Sequence, residues 1–159
     1  MALCVLMGCS DGDARQPEGV GPKAHISDAA VQGQVLPELD PTVVLQISFF
    51  DREGAARHRV RVHDDGRVQR AQAQDSWALS MTLSATALQA LRDGLVSTEL
   101  ATVSGAHGLD PAPSDAQRHI IQAPKLAQGV TVVTDGRCQC APLKAFYREV
   151  MPMLRAPAK

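Results

Sequence analysis

The stretch "ARHRVRVHDDGRVQRA" constrains the fold of this chain more than any other. Valines alternate with arginines and histidines on both sides of an Asp-Asp-Gly triplet, and period-2 alternation flanking a turn signal describes a β-hairpin. With Asp64, Asp65 and Gly66 as a three-residue loop, Gly66 takes a left-handed conformation and Val62 faces Val68. A two-residue loop at Asp65-Gly66 would set Val62 against Gln69, a poorer match. Hairpins build antiparallel sheets with one face on a core and the other in water. Val60 and Val62 then point inward and Arg57, Arg59 and Arg61 outward, with Arg67 and Arg70 on the second strand.

The neighbouring segments extend this sheet. In "TVVLQISFF", Val43, Leu45, Ile47 and Phe49 alternate onto one face, and in "SWALSMTLS" Trp77, Leu79, Met81 and Leu83 do the same. "RHIIQA" and "GVTVVT" read as two further strands joined by a turn around Pro124–Gln128, which sets His119 opposite Val133. Ser84 is the N-cap of a helix whose Leu88, Leu91 and Leu95 share a face, with Gly94 near its end. The Gly/Pro-rich "SGAHGLDPAPSDAQ" that follows reads as a loop. A second helix runs from Pro142, suited to a first helical position, towards Leu154. It buries Leu143, Phe146, Tyr147, Val150 and Leu154, and Pro152 disturbs its end. The order β-β-β-(β)-α-β-β-α over residues 42–156 predicts a single α+β domain. Its antiparallel sheet has about five to six strands, with two helices packed on one face.

One such domain suits a chain of 159 residues, 45% of them apolar. A net charge of -1 gives no general attraction for polyanions, and 3% aromatic content with a single Trp provides no base-stacking platform. Nucleic acid is therefore not an expected partner. The longest apolar run after the start, Val43–Phe50, is interrupted by Gln46 and Ser48 and falls short of the roughly 20 residues a spanning helix needs.

Residues 10–41 carry Asp11, Gly12, Asp13, Pro17 and Gly21 among few core-forming residues and read as a tether. Just ahead, Leu6-Met7-Gly8-Cys9 resembles the lipobox of bacterial lipoprotein precursors: an aliphatic residue, a tolerant position, a small residue, then cysteine. The resemblance implies that residues 1–8 end a signal peptide, that Cys9 is lipidated, and that 9–41 hold the attachment site and tether. It places the protein in the bacterial cell envelope, held to the membrane by its N-terminal lipid on the periplasmic or surface side. Residues 1–8 contain no Lys or Arg, and the apolar run Met1–Met7 is short for a signal, so the expected signal begins upstream. If Met1 is the true start, the alternative is a cytoplasmic protein.

Of the four cysteines, Cys4 would leave with the signal and Cys9 would carry lipid, which leaves Cys138 and Cys140 in "TDGRCQCAP". Three readings of this pair stand side by side. A disulfide would suit an oxidising compartment, but across one residue it is worth only ~1.5 kcal/mol, so a redox role is the more telling version. Two thiolates with His119 suit Zn²⁺ or Cu⁺, although Cys-x-Cys is an uncommon spacing and a fourth ligand is missing. The plainest reading is two half-buried residues leading into the last helix. The remaining histidines, His25, His58, His63 and His107, make no metal-ligand spacing.

No nucleophile elbow, Gly-rich phosphate loop or Walker lysine is present, and Asp64, Asp65 and Asp75 fit turns, so an enzyme is not expected. The five arginines either form a solvated outer face or a basic stripe for acidic headgroups or an acidic partner. The leading expectation is a small binding domain for a protein or envelope component. The alternatives are a redox or metal-handling protein using Cys138 and Cys140, and a protease inhibitor. The last rests on order alone: "TLSATALQALRDGLVSTEL" and "GVTVVTDGRCQCAPLKAFYREVMPML" resemble the second half of emfourin-type inhibitors. That family's Gly-Gly-Phe segment is replaced here by "SFFDREGAARHRV", so no inhibitory residue carries over.

Overall fold

The hairpin forms as its sequence requires. In the computed structural model, which describes residues 39–51, 53–73, 76–107, 118–135 and 140–155, Val62 pairs with Val68 and Gly66 adopts φ +87°. Strands β1 (Val43–Phe50), β2 (Ala56–His63), β3 (Arg67–Gln72) and β4 (Ala78–Thr82) precede helix α1 (Ala85–Ser97). A 3-10 turn (Leu100–Val103), β5 (Gly105–His107), β6 (Arg118–Ala123) and β7 (Val130–Thr134) lead to the last helix, α2 (Ala141–Ala145). The sheet runs β4-β3-β2-β1-β6-β7-β5. Six strands are antiparallel to their neighbours and both helices pack on one face, the α+β arrangement expected from the order of elements. β5, read as loop from its Gly/Pro-rich surroundings, adds a seventh strand parallel to β7.

The core lies between the helices and one sheet face. Leu45, Ile47, Val60, Val62, Val68, Ile121 and Val132 meet Leu88, Leu91 and Leu95 of α1 and Leu143, Phe146, Val150 and Leu154 of the last helical segment. Ser84 caps α1 by accepting from the Ala87 amide, and Gly94 faces the last helical segment, where a Cβ would stand 3.4 Å from Val150 Cγ2. After Ala145 the helix widens to a π turn (Phe146–Val150) and closes as a 3-10 turn (Met151–Leu154). Pro152 explains the change, because it cannot donate and its ring crowds the carbonyl four residues back.

Three single-residue slips interrupt the ladder. Val43 pairs with His63 but Leu45 with Val62, leaving Val44 as an extra residue in β1. Phe49 pairs with His58 but Phe50 with Ala56, leaving Arg57 extra in β2. Val68 pairs with Met81 but Gln69 with Leu79, leaving Ser80 extra in β4. Each slip corrects a sequence expectation, since a bulge reverses the side-chain alternation beyond it. Val43 leaves the face of Leu45, Ile47 and Phe49, while Val44 joins the core. Trp77 and Leu79 part from Met81 and Leu83: Met81 packs on the core, whereas Leu79 is 61% exposed.

At Gly66 a Cβ would lie 2.6 Å from the Leu83 carbonyl oxygen, and the positive φ is itself unfavourable for any other residue. Gly66→Ala is therefore expected to destabilise the domain by about 1–3 kcal/mol, read from the urea unfolding midpoint. An unchanged midpoint would show that the β4–α1 connection does not pass this close to the loop.

Candidate functional site

The slip at Ser80 places Trp77 on the sheet face away from the helices, where Arg59 and Arg61 also point. The Arg59 guanidinium sits 4.9 Å, and that of Arg61 4.2 Å, from the centroid of a Trp77 ring. Two residues apart on one strand, the guanidiniums project side by side, and the indole draws both to it through its π face. Burial, before any neighbouring charge, lowers the Arg61 pKa, with Asp40 opposing and Arg59 and Arg67 adding to the shift. An arginine nevertheless stays charged at physiological pH.

A chain of hydrogen bonds holds Arg61 from behind. Its Nε donates to Gln69 Oε1 at 2.7 Å, and the same oxygen lies 2.9 Å from His63 Nε2. A carboxamide oxygen only accepts, so His63 Nε2 is the donor. His63 Nδ1 then meets the Thr42 hydroxyl at 2.8 Å, and that hydroxyl donates to Asp40 Oδ1 at 2.7 Å. The Thr42 amide and hydroxyl together hold the Asp40 carboxyl below the usual range. Since His63 is 2% exposed, this chain is a rigid backing for the platform.

A cavity of about 300 Å³ is lined by Arg57, His58, Arg59, Arg70 and Gln72, of which His58, Arg70 and Gln72 lie on the helix face, opposite the platform. The arginines do not form one solvated stripe. Arg70, paired with Val60, turns to the helix face and donates through Nη2 to the Leu154 carbonyl. Its Nε is buried with no hydrogen-bond partner among the described residues. Arg57 bonds Asp51 at 2.8 Å and Arg67 bonds Asp65 at 2.6 Å. The outer face is largely closed to water elsewhere: Gln46, Ser48, Ala71, Ile120, Gln122 and Val133 are all buried.

On the helix face, a row of rings crosses the sheet. Phe49 stacks on His58 at 4.2 Å and meets His119 edge-on at 4.7 Å, and His119 Nδ1 lies 2.7 Å from the Tyr147 hydroxyl. Burial lowers the His119 pKa, as does the His58 charge, with Asp135 opposing. His58 is lowered by burial first and by Arg70 second. His119 pairs with Thr134, one residue from the expected Val133.

Of the other residues singled out in the sequence, Cys140 is half-buried at the N-cap of α2, packed against the core. Cys138 and Cys9 lie outside the described residues, as do the tether to residue 38, His25 and Asp75. Among the described residues no group of three or more His, Cys, Asp or Glu is placed to hold a metal ion. The candidate feature that sequence reading missed is the Trp77 platform. Its signal was the single Trp within reach of an Arg-x-Arg strand, hidden by the assumption of unbroken alternation.

Comparison with protein-family models, curated proteins and solved structures finds no match. The comparisons thus give the chain no lipoprotein, periplasmic or membrane-anchor character, and no disulfide is found among the described residues. The picture of a disulfide-bonded lipoprotein is accordingly corrected to an α+β fold without those assignments. Closing a loop of one residue constrains the unfolded chain very little, so the fold draws no need for a bridge from that source.

His119 and His58 resist protonation in the folded state, whereas the unfolded chain takes protons at the ordinary histidine pKa. Stability is then present in full above the unfolded value and falls as pH drops from about 7 towards 5. His119→Gln should flatten that slope in urea titrations at several pH values. An equally steep slope in the variant would assign the loss to other groups.

Proposed function

We propose that this domain is a binding module that grips an acidic segment of a protein partner at the β2–β4 corner. The observation that carries the reading is the pair of guanidiniums, Arg59 and Arg61, stacked side by side on Trp77. Trp and Arg dominate the energetics of protein interfaces. The stacking and the Gln69 hydrogen bond already order the Arg61 side chain, which reduces the entropy lost on binding. Leu79, exposed on the strand beside Gln69, offers an apolar contact next to the cations. The whole chain carries a net charge of only -1, so the attraction is local to this corner.

Trp77 is the single tryptophan, and its fluorescence reports binding directly. An extended peptide alternating Glu with apolar residues is expected to bind saturably, and more weakly in high salt. The same peptide with Gln for Glu should bind at least about tenfold more weakly, a difference of about 1.4 kcal/mol. The R59Q/R61Q double variant should erase that preference. Equal binding of the two peptides, or a preference that survives in the variant, overturns the reading.

A further inference from the structure

Leu79 and Val96 are the large apolar side chains that stand exposed among the described residues, at 61% and 66%. Leu79 borders the platform; Val96 belongs to a different place. It stands on α1 at the mouth of a groove of about 210 Å³, whose other lining residues are Val44, Leu95, Leu126, Arg92 and Lys125. The groove shares no residue with the platform or with the cavity lined by His58 and Arg70.

Its floor is apolar and its rim cationic. Val44 reaches the groove because it is the extra residue of the β1 bulge, and it is 4% exposed there; Leu95 is 3% exposed. Leu126, in the β6–β7 turn, is half-buried against the core. At the rim, Lys125 Nζ lies 2.7 Å from Asp64 Oδ2, while Arg92 Nη2 donates to the Asp64 backbone carbonyl at 3.4 Å. The Asp64 carboxylate thus serves Lys125 while Arg92 meets only the backbone carbonyl among the described residues, and the Lys125 pair is a surface pair, 42% and 40% exposed, of the kind that exchanges readily.

We infer that this groove binds an anionic amphiphile: one alkyl chain ending in a carboxylate. The chain lies on Val44, Leu95, Val96 and Leu126, and the headgroup sits between Arg92 and Lys125. The volume decides the class of ligand. Pockets for drug-sized molecules span about 300–1,000 Å³, so this groove takes a smaller ligand, and its aliphatic floor suits an alkyl chain. The rim decides the headgroup, since a carboxylate completes the charge that Asp64 leaves unbalanced. Each added methylene that reaches the apolar floor should tighten binding roughly fourfold until the groove is filled.

The test uses the full chain and methyl-resolved NMR, with octanoate, decanoate and decanol below their aggregation limits. Decanoate should shift the Val44, Val96 and Leu126 methyls saturably, with octanoate weaker and decanol at least about tenfold weaker than decanoate. The R92Q/K125Q variant should keep its Leu91 methyl shifts, which report an intact core, yet lose the preference for decanoate over decanol. Val96→Asp, a change at an exposed position, should weaken decanoate by a similar factor. The inference is overturned if decanol and decanoate bind alike, or if decanoate leaves these methyls unmoved. It is equally overturned if the same methyls shift on raising protein concentration while sedimentation shows dimers, which would make a second copy the occupant. None of these outcomes bears on the peptide reading at Trp77.

Discussion

Ser80 decides which way Trp77 faces, and most of what the surface offers follows from that one residue. Gln69 opposes Leu79 and Val68 opposes Met81, so the extra residue lets β4 put Met81 into the core and Leu79 outside it. Without the slip, Trp77 and Leu79 would share the face of Met81 and compete with α1 and α2 for the same space. With it, the indole lies under Arg59 and Arg61. A bulge costs a ladder hydrogen bond and disturbs pairing locally. Here that cost is set against two cation–π contacts of about 0.5–1 kcal/mol each at a partly exposed site, and against a core free of an oversized ring.

The same device operates at the opposite end of the central strand. β1 is buried along Val43–Ser48, with Leu45 and Ile47 on the helix face and Gln46 and Ser48 on the other. A strand buried on both faces must satisfy its polar side chains internally. Gln46 does so in part through Gln122 across β6, at 3.4 Å. The slip at Val44 then spares the strand a further conflict. It sends Val43 to the side of His63 and brings Val44 to α1, where it floors the cationic-rimmed groove. Two bulges in one sheet each turn an apolar side chain to a new surface, and each of those surfaces carries arginine.

How much of this was legible follows from the physics of each signal. The Asp-Asp-Gly loop, the Ser84 cap, the Leu88–Leu91–Leu95 stripe and the buried face of the last helix were all readable, because each depends on chemistry within a few residues. The three slips were not, since alternation is counted by assuming that no residue is skipped. That assumption misplaced Val43, Trp77 and Leu79, and a turn of slightly different length moved His119 from Val133 to Thr134. Arg70 was grouped with the outward arginines because charge suggests solvent. Its stem instead crosses apolar surface to the Leu154 carbonyl, an acceptor left open at the end of the closing 3-10 turn. β5 was hidden by the Gly/Pro-rich composition around it, and a three-residue parallel edge has too few residues to show a period.

The end of the chain completes the row of rings for a reason that begins with Pro152. With no amide hydrogen at that position, the preceding turn takes the wider register in which Met151 N bonds Phe146 O. A π turn holds an extra residue on the same stretch of axis, so neighbouring side chains can both face the sheet side. Phe146 is fully buried, while Tyr147 meets it edge-on at 5.6 Å and carries its hydroxyl to His119. An α-turn would separate successive side chains by about 100° and could not aim both inward as well. His119 resists protonation, and its Nδ1 and the Tyr147 hydroxyl meet at 2.7 Å, with donor and acceptor set by the ring tautomer. The irregular end of the helix thus carries both the buried Phe146 and the tyrosine that meets His119 at the edge of the core.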